Sequence, residues 1–168
     1  MYRFIKSLKK MRCRLLVWST HSVALPIIRM AGNLPRFPYS ITALRAMPDG
    51  TLGNALMQFL DSQGLVLLPQ YESHDIKHVL LGYGADEEGE AAMQYFFLGN
   101  GARSFPVIIT VLVTLIIMPE FYSSFRRAYI RGRHTPPLAG TDWHALVHVP
   151  VADIHNLLQI SSLNNPIS

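Results

Sequence analysis

A chain of 168 residues has the length of one domain and can bury a single core. Apolar residues make up 49% of it and charged residues 15%, against about 25% in an ordinary soluble domain; mean hydropathy is +0.20. Either some apolar surface faces lipid or a lipid-like ligand, or the core is unusually apolar. Cys13 is the only cysteine, which excludes an internal disulfide and a cysteine-rich zinc site.

Positive charge is concentrated at the start of the chain. Residues 1–46 carry nine Lys/Arg and no Asp/Glu, whereas residues 47–168 have a net charge of −5. The pI of 9.4 therefore belongs mostly to the first segment, and no nucleic-acid partner is expected. A segment rich in proline and glycine at 32–50 separates a basic arm (1–46) from a main domain (47–160), which a short tail follows (161–168).

Residues 2–16 predict a basic amphipathic helix. Its apolar residues recur at steps of four, three and four, with lysines and arginines elsewhere: Phe4, Leu8, Met11 and Leu15. Such a helix can lie on an anionic membrane, where each basic group adds about 1 kcal/mol. A mitochondrial targeting segment and a packing helix with a solvated basic face are the alternatives.

The main domain continues with segments that favour helices, at 52–60, 71–81, 86–98, 107–118, 120–131 and 142–158. Between the first two, the apolar run 64–69 predicts a core-facing connector. The run 107–118 is about 18 Å long as a helix, too short for a hydrocarbon core of about 30 Å. It predicts a buried helix or one dipped into a membrane leaflet, although its valines and isoleucines leave a strand open. Together these elements predict an all-α fold, a single compact domain of six or seven helices including the basic one.

The second helix of this domain carries two histidines with metal-ligand spacing. His74 and His78 are four residues apart, so they share one face with Cβ atoms about 5–6 Å apart, and Asp75 borders it. Glycines at 82–84 end the helix, and a reversal there would bring Glu90 back beside the histidines. Two nitrogens and two carboxylates suit Zn²⁺, Fe²⁺, Mn²⁺ or Co²⁺, and the spacing does not choose among them.

Other polar residues near this motif are predicted to have ordinary roles. Lys77 is expected to point away from the histidine face into solvent, and Glu87 and Glu88 to favour the helix dipole. Five further histidines have no carboxylate at a matching distance in the sequence and are expected to be structural: His21, His134, His144, His148 and His155.

The motif resembles that of a known family. His-Asp-x-x-His, eleven residues and then Glu marks the coenzyme Q (ubiquinone) biosynthesis protein 4 family, helical proteins that hold a metal with these four positions: here His74, Asp75, His78 and Glu90. The Gly-Tyr-Gly at 82–84 and the Gly-Glu at 89–90 are similar too, and the similarity runs over about 47–158. The closing segment resembles bacterial members and departs from the longer, Trp-Glu-rich end of mitochondrial ones.

The resemblance implies a function in ubiquinone biosynthesis. It implies an oxidative decarboxylation at carbon 1 of a polyprenylated hydroxybenzoate, with the four motif residues as catalytic metal ligands. The apolar helices would hold the polyprenyl tail, and three residues are candidates for substrate binding: Arg103 and Arg127, either of which could pair with the carboxylate or be merely solvated, and Tyr83.

The partners that follow are a prenylated quinone precursor or another isoprenoid lipid, a membrane surface met through the basic helix, and a second copy of the chain or a biosynthetic complex. The expected location is the cytoplasmic face of the bacterial inner membrane, with the matrix face of the mitochondrial inner membrane as the alternative.

Two other functions stay open. A non-enzymatic scaffold could present a quinone precursor to partner enzymes, with a structural metal. A metallohydrolase is less favoured, because zinc proteases use His-Glu-x-x-His with the glutamate as general base, and Asp75 is one methylene shorter. A di-iron hydroxylase would need Glu-x-x-His on two helices, a pattern that the sequence lacks.

Overall fold

The computed structural model describes residues 37–160; the basic helix predicted at 2–16, the start of the linker (32–36) and the tail at 161–168 lie outside the described residues. Within 37–160 the fold is all-α and compact, as predicted, with one short 3-10 helix and no β-strand. The division into arm, domain and tail stays a prediction. In chain order the helices are α1 (Ile41–Arg45), α2 (Leu52–Gln63), α3 (Glu72–Leu81), α4 (Glu87–Gly99), α5 (Phe105–Ile117), the 3-10 helix (Pro119–Phe121), α6 (Tyr122–His134) and α7 (Val151–Leu157).

The two ends of the domain meet at the start of α2. The backbone amide of Leu52 donates to the carbonyl of Val149 (2.9 Å), and that of Gly53 to the carbonyl of Val147 (2.8 Å). These bonds satisfy amides that the first turn of a helix leaves without intrahelical partners. They also hold the segment before α7 against the helix that packs beside α3.

Two clusters of buried apolar side chains fill the interior, and α3 lies between them. One cluster joins α1, α2, α3 and α7 and includes Ile76 and Ile154. The other joins α4 and α6 and includes Phe96 and Phe125, with Leu81 from the end of α3. Each such side chain contributes about 1.5–3 kcal/mol by leaving water. Because it is packed on two sides, α3 is a rigid support for the side chains on its remaining face.

The side chain of Asn100 ties the end of α4 to the end of α6. Its amide group donates to the carbonyls of Gly132 (3.2 Å), Thr135 (2.9 Å) and Pro136 (3.0 Å), and its oxygen accepts from the amide of Leu138 (2.9 Å). Three of these four bonds go to carbonyls at or just after the end of α6, where a helix leaves carbonyls without intrahelical partners. This contact fixes α4, which carries Glu90, relative to the second cluster.

The apolar run at 107–118 is a helix, as predicted, but the expectation that this helix is buried is wrong; its alternative, a helix dipped into a membrane leaflet, stays a prediction. In α5 only Val107 and Thr114 are buried, and exposure reaches 65% at Phe105 and 79% at Ile116. The exposed large side chains, called the apolar α5 face below, are Phe105, Ile109, Leu112, Val113, Leu115 and Ile116. Among the described residues no single helix has the length and apolar character to cross a bilayer. The α5 helix reaches that length and character only when it is combined with residues 119–134, and the two parts meet at a bend of 103°.

The connector at 64–69 is also more exposed than predicted. Leu65, Val66 and Leu68 are all exposed, so the expectation that this run faces the core is wrong. The α2 helix ends at Gly64, which has a left-handed conformation (φ 65°), and the chain then runs along the surface to α3.

Candidate metal site

A tight reversal between α3 and α4 builds the site. The α3 helix ends at Gly82, which has a left-handed backbone (φ 73°), and α4 begins after Asp86, whose carboxylate accepts from the amide of Gly89 (2.8 Å). A Cβ at Gly89 would overlap the backbone of Gly84, so only glycine lets the two segments approach this closely. Glu90 therefore lies in the first turn of α4, directly beside α3.

The reversal brings the three predicted ligands His74, His78 and Glu90 together. Nε2 of His74 and Nε2 of His78 are 3.0 Å apart. Oε1 of Glu90 lies 3.2 Å from Nε2 of His78 and 3.4 Å from Nε2 of His74. These atoms, called the ligand triangle below, are all within the reach of one ion.

The dimensions of the triangle fit a divalent metal. Ligands about 2.0–2.1 Å from one ion are about 2.9 Å apart at an octahedral right angle and about 3.4 Å apart at a tetrahedral angle. All three observed edges fall within that interval. Three ligands on one side of an ion would leave further coordination positions for water or substrate, which a catalytic site requires.

His78 is the fixed corner of the triangle. Its ring is 1% exposed and stacks on Phe59, with centroids 5.6 Å apart and planes at 14°. Its Nδ1 donates to the backbone carbonyl of Tyr83 (3.1 Å), which leaves Nε2 to face His74 and Glu90. Metal-bound histidines commonly donate their second ring N–H in this way, which fixes the tautomer. By contrast, the side chains of His74 and Glu90 are 30% and 32% exposed and form the open side of the site.

Within the ligand triangle, His78 and Glu90 stabilise each other's charged form. Burial opposes the charged form of His78, but the hydrogen bond and charge of Glu90 outweigh it, so the pKa of His78 is raised. Burial likewise opposes ionisation of Glu90, but hydrogen bonds from His74 and His78 lower its pKa to about 2. The glutamate is therefore an anion at neutral pH, as a metal ligand must be.

Asp75 is not part of the triangle. The described cluster of ligand atoms contains His74, His78 and Glu90 only. Burial raises the pKa of Asp75 to about 6, and the nearby charges of His74 and His78 lower it only in part. Its role as a fourth ligand stays a prediction.

A cavity of about 270 Å³ adjoins His74 between α3, α4 and the start of α5. Called the α3–α4 cavity below, it has four polar and five apolar lining residues: His74, Lys77, Gln94 and Ser104, with Met93, Phe97, Ala102, Pro106 and Val107. The site therefore combines metal-ligating atoms with a cavity of mixed polar and apolar lining.

The prediction that Lys77 points into solvent is wrong. Its ammonium group lies 5.5 Å from the ring centroid of Phe97 and 5.9 Å from that of Trp143, and burial lowers its pKa. Lys77 lines the α3–α4 cavity together with His74. No pattern near position 77 indicates this burial, because the two aromatic residues come from distant parts of the chain.

The three predicted substrate-binding residues are not among those lining this cavity. Arg103 is exposed and donates to the carbonyls of Leu98 (3.0 Å) and Ala102 (3.1 Å). Arg127 is exposed on α6, and Tyr83 is buried behind His78. Their roles in substrate binding stay predictions.

Arg131 lies in the basic last turn of α6 and is buried. It donates to the carbonyl of Leu81 at the end of α3 (2.7 Å), and its guanidinium lies over the rings of Tyr83 and Phe96 at 5.4 and 5.3 Å. A charge-assisted bond to the last turn of α3 stabilises the helix end that leads into the reversal.

The other described histidines make local contacts away from the triangle. Nε2 of His144 is 2.8 Å from the hydroxyl of Ser73, and Nε2 of His155 donates to a carbonyl of α3 (2.7 Å). His134 bonds to its own helix (2.9 Å), and the ring of His148 packs edge-on against Tyr39. His21 lies outside the described residues.

Fold and site together define an all-α protein with a candidate three-ligand metal site between consecutive helices. No family model and no curated protein matches the chain. Among solved structures, the chain is similar to a crystal structure from Nostoc punctiforme described as a "putative ubiquinone biosynthesis protein". The two share 24% identity, with a TM-score of 0.61, over 92% of this chain and 82% of the other. That similarity shows a shared fold.

Proposed function

We propose that this protein acts in ubiquinone biosynthesis, as a metal-dependent enzyme that decarboxylates and hydroxylates carbon 1 of a polyprenylated hydroxybenzoate. The observation that carries the proposal is the ligand triangle of His74, His78 and Glu90 beside a cavity with both polar and apolar walls. The resemblance of the His-Asp-x-x-His and Glu motif to the coenzyme Q biosynthesis protein 4 family supports the substrate, and the likeness to the Nostoc structure supports the fold.

The net reaction replaces the carboxylate on carbon 1 of the ring with a hydroxyl group. The bond from carbon 1 to the carboxylate breaks, carbon dioxide leaves, and a bond from carbon 1 to a hydroxyl oxygen forms. With water as the source of that oxygen, the ring carboxylate gives up two electrons and one proton to an external two-electron oxidant of the dioxygen or quinone class, which takes its second proton from solvent. A divalent ion supplies Lewis-acid stabilisation of negative charge on the ring oxygens when it is bound.

The residues of the chain have separate parts in this proposal. His74, His78 and Glu90 hold the ion, and Tyr83 fixes the tautomer of His78 through its backbone carbonyl. Asp75 is kept as a candidate fourth ligand. The apolar walls of the α3–α4 cavity, among them Phe97, exclude water from the ring.

We further propose that the protein works on a membrane surface, on the cytoplasmic face of a bacterial inner membrane. Two features support this proposal: the basic arm at 1–46 and the apolar α5 face, which presents six large apolar side chains to solvent. A polyprenyl tail is insoluble in water, so an enzyme acting on its ring benefits from a place at the bilayer.

Metal content and turnover of one preparation test the proposed function. Wild-type protein reconstituted with Zn²⁺, Fe²⁺, Mn²⁺ or Co²⁺ should hold about one ion per chain. His78→Ala should lose it and remain folded, whereas His134→Ala, which removes an exposed histidine on α6, should keep it. Metal-loaded wild type should release carbon dioxide from a prenylated 4-hydroxybenzoate with an oxidant present. Unchanged metal content in His78→Ala would refute the site, and a metal-loaded but inactive wild type would refute the reaction.

A non-enzymatic scaffold is the second candidate, because the apolar α5 face suits a lipid-binding protein as well as an enzyme. In that case the protein would retain a prenylated precursor from a lipid extract, bind metal, and turn nothing over. Mass spectrometry of co-purified lipid, read beside the turnover assay, distinguishes the two functions.

A further inference from the structure

We propose that Lys77 binds an anionic oxygen of the ligand in the α3–α4 cavity, so that the cavity selects a ring bearing a carboxylate. The inference rests on the proposed function, since it assigns the residue that recognises the carboxylate of the same substrate. It moves that role from Arg103 and Arg127 to a residue for which the sequence indicated a solvated position.

The first observation is a cation without a counter-ion. The described residues contain ion pairs of Arg45 with Asp61 and of the two motif histidines with Glu90, and none that includes Lys77. The ammonium instead lies near two aromatic rings, those of Phe97 and Trp143, and the residue is half-buried. A charge that is partly desolvated and unpaired is costly, and an anionic ligand would offset that cost.

The second observation is the position of Lys77 relative to the metal site. Lys77 follows His74 by three residues on α3, so their side chains are neighbours on the helix surface. Both line the same cavity, and among its described lining residues Lys77 is the only lysine or arginine. A single ring in this cavity can therefore contact Lys77 with one substituent. With another substituent it can contact His74, which borders the metal site.

The third observation is the size of the cavity and where it ends. Its volume of about 270 Å³ lies just below the range for ligand pockets, about 300–1,000 Å³. It suits an aromatic head group rather than a head group with a long tail. Pro106 and Val107 line it and belong to the first turn of α5, so the apolar α5 face begins at its edge. A tail attached to the ring could leave the cavity along that face.

Binding of two small probes to the full-length, metal-loaded protein tests the inference. The probes are 4-hydroxybenzoate and 4-cresol, which carries a methyl group in place of the carboxylate. Wild type should prefer 4-hydroxybenzoate, and Lys77→Met should weaken that ligand by about tenfold to a hundredfold, the range of a charged hydrogen bond. Binding of 4-cresol should change less than about twofold by the same reasoning. Lys77→Arg should restore the preference, and Arg126→Met, which removes an exposed cation on α6, should leave it unchanged.

The outcomes separate this inference from the proposed function. If Lys77→Met binds 4-hydroxybenzoate as wild type does, with metal in place, the inference is wrong and the metal site stands. If both probes weaken equally, Lys77 only supports the cavity and the inference is wrong as well. If wild type binds no metal but its preference for the carboxylate depends on Lys77, the proposed metal chemistry fails and the inference stands.

Discussion

Replacing Gly89 with alanine tests whether the close approach of α3 and α4 creates the ligand triangle. The new Cβ would overlap the backbone oxygen of Gly84. Relief of that overlap to an ordinary contact needs a separation of about 1 Å between α4 and the reversal. Glu90 is the next residue and would move with α4. Its distances to the histidine nitrogens, now 3.2 and 3.4 Å, would grow to about 4.2 and 4.4 Å, more than the roughly 3.4 Å that neighbouring ligands of one ion span.

Gly89→Ala should therefore weaken metal binding by about 10- to 100-fold, as changes in the support of a metal ligand typically do. Stability should fall too, because overpacking costs about 1–3 kcal/mol while the better helix propensity of alanine offsets at most about 1 kcal/mol. Gly84→Ala is the matched control, since a Cβ there meets its nearest neighbour at an ordinary 3.4 Å. Competition with a chromophoric chelator gives the affinity and thermal unfolding the stability. Equal affinities in Gly89→Ala and Gly84→Ala would refute the reasoning.

Three further predictions follow from the same structure. Zinc affinity should fall as pH is lowered through the raised pKa of His78, because protons compete with the ion for its Nε2. Competition with a chelator between pH 5 and 8 measures the affinity, and an affinity that does not change with pH would contradict the prediction. Arg131→Met should lower the free energy of unfolding by about 1–3 kcal/mol in urea, since the end of α3 loses its partner, whereas Arg133→Met on the exposed surface should change little. Ile116→Glu should reduce flotation with anionic vesicles without a change in melting temperature, because its side chain is 79% exposed; undiminished flotation would show that the apolar α5 face does not contact lipid.

The metal helix and its reversal could be predicted because local sequence determines them. Histidines four apart share a helix face wherever the helix lies, and glycine at position 82 ends the helix at that point. The return of Glu90 needed only a short turn and a second helix. What the sequence did not show is that position 89 has to be glycine, because that requirement comes from the backbone of Gly84 across the turn.

The features that the sequence did not predict depend on distant contacts. Lys77 lies partly buried because Phe97 and Trp143 cover it. No pattern around position 77 predicts that these two side chains pack against it. Arg131 is buried for the same kind of reason, since its partner is a carbonyl fifty residues earlier in the chain. The exposure of α5 could not be predicted either. An apolar run has the same sequence pattern whether the protein's own core, lipid or a partner covers it.

Anomalous diffraction from crystals of the protein grown with Co²⁺ or Zn²⁺ would show whether one ion binds at the ligand triangle. We expect one strong peak within bonding distance, about 2.0–2.2 Å, of Nε2 of His74, Nε2 of His78 and Oε1 of Glu90. A peak bound by other residues, or no peak near these three atoms in a metal-saturated crystal, would contradict it.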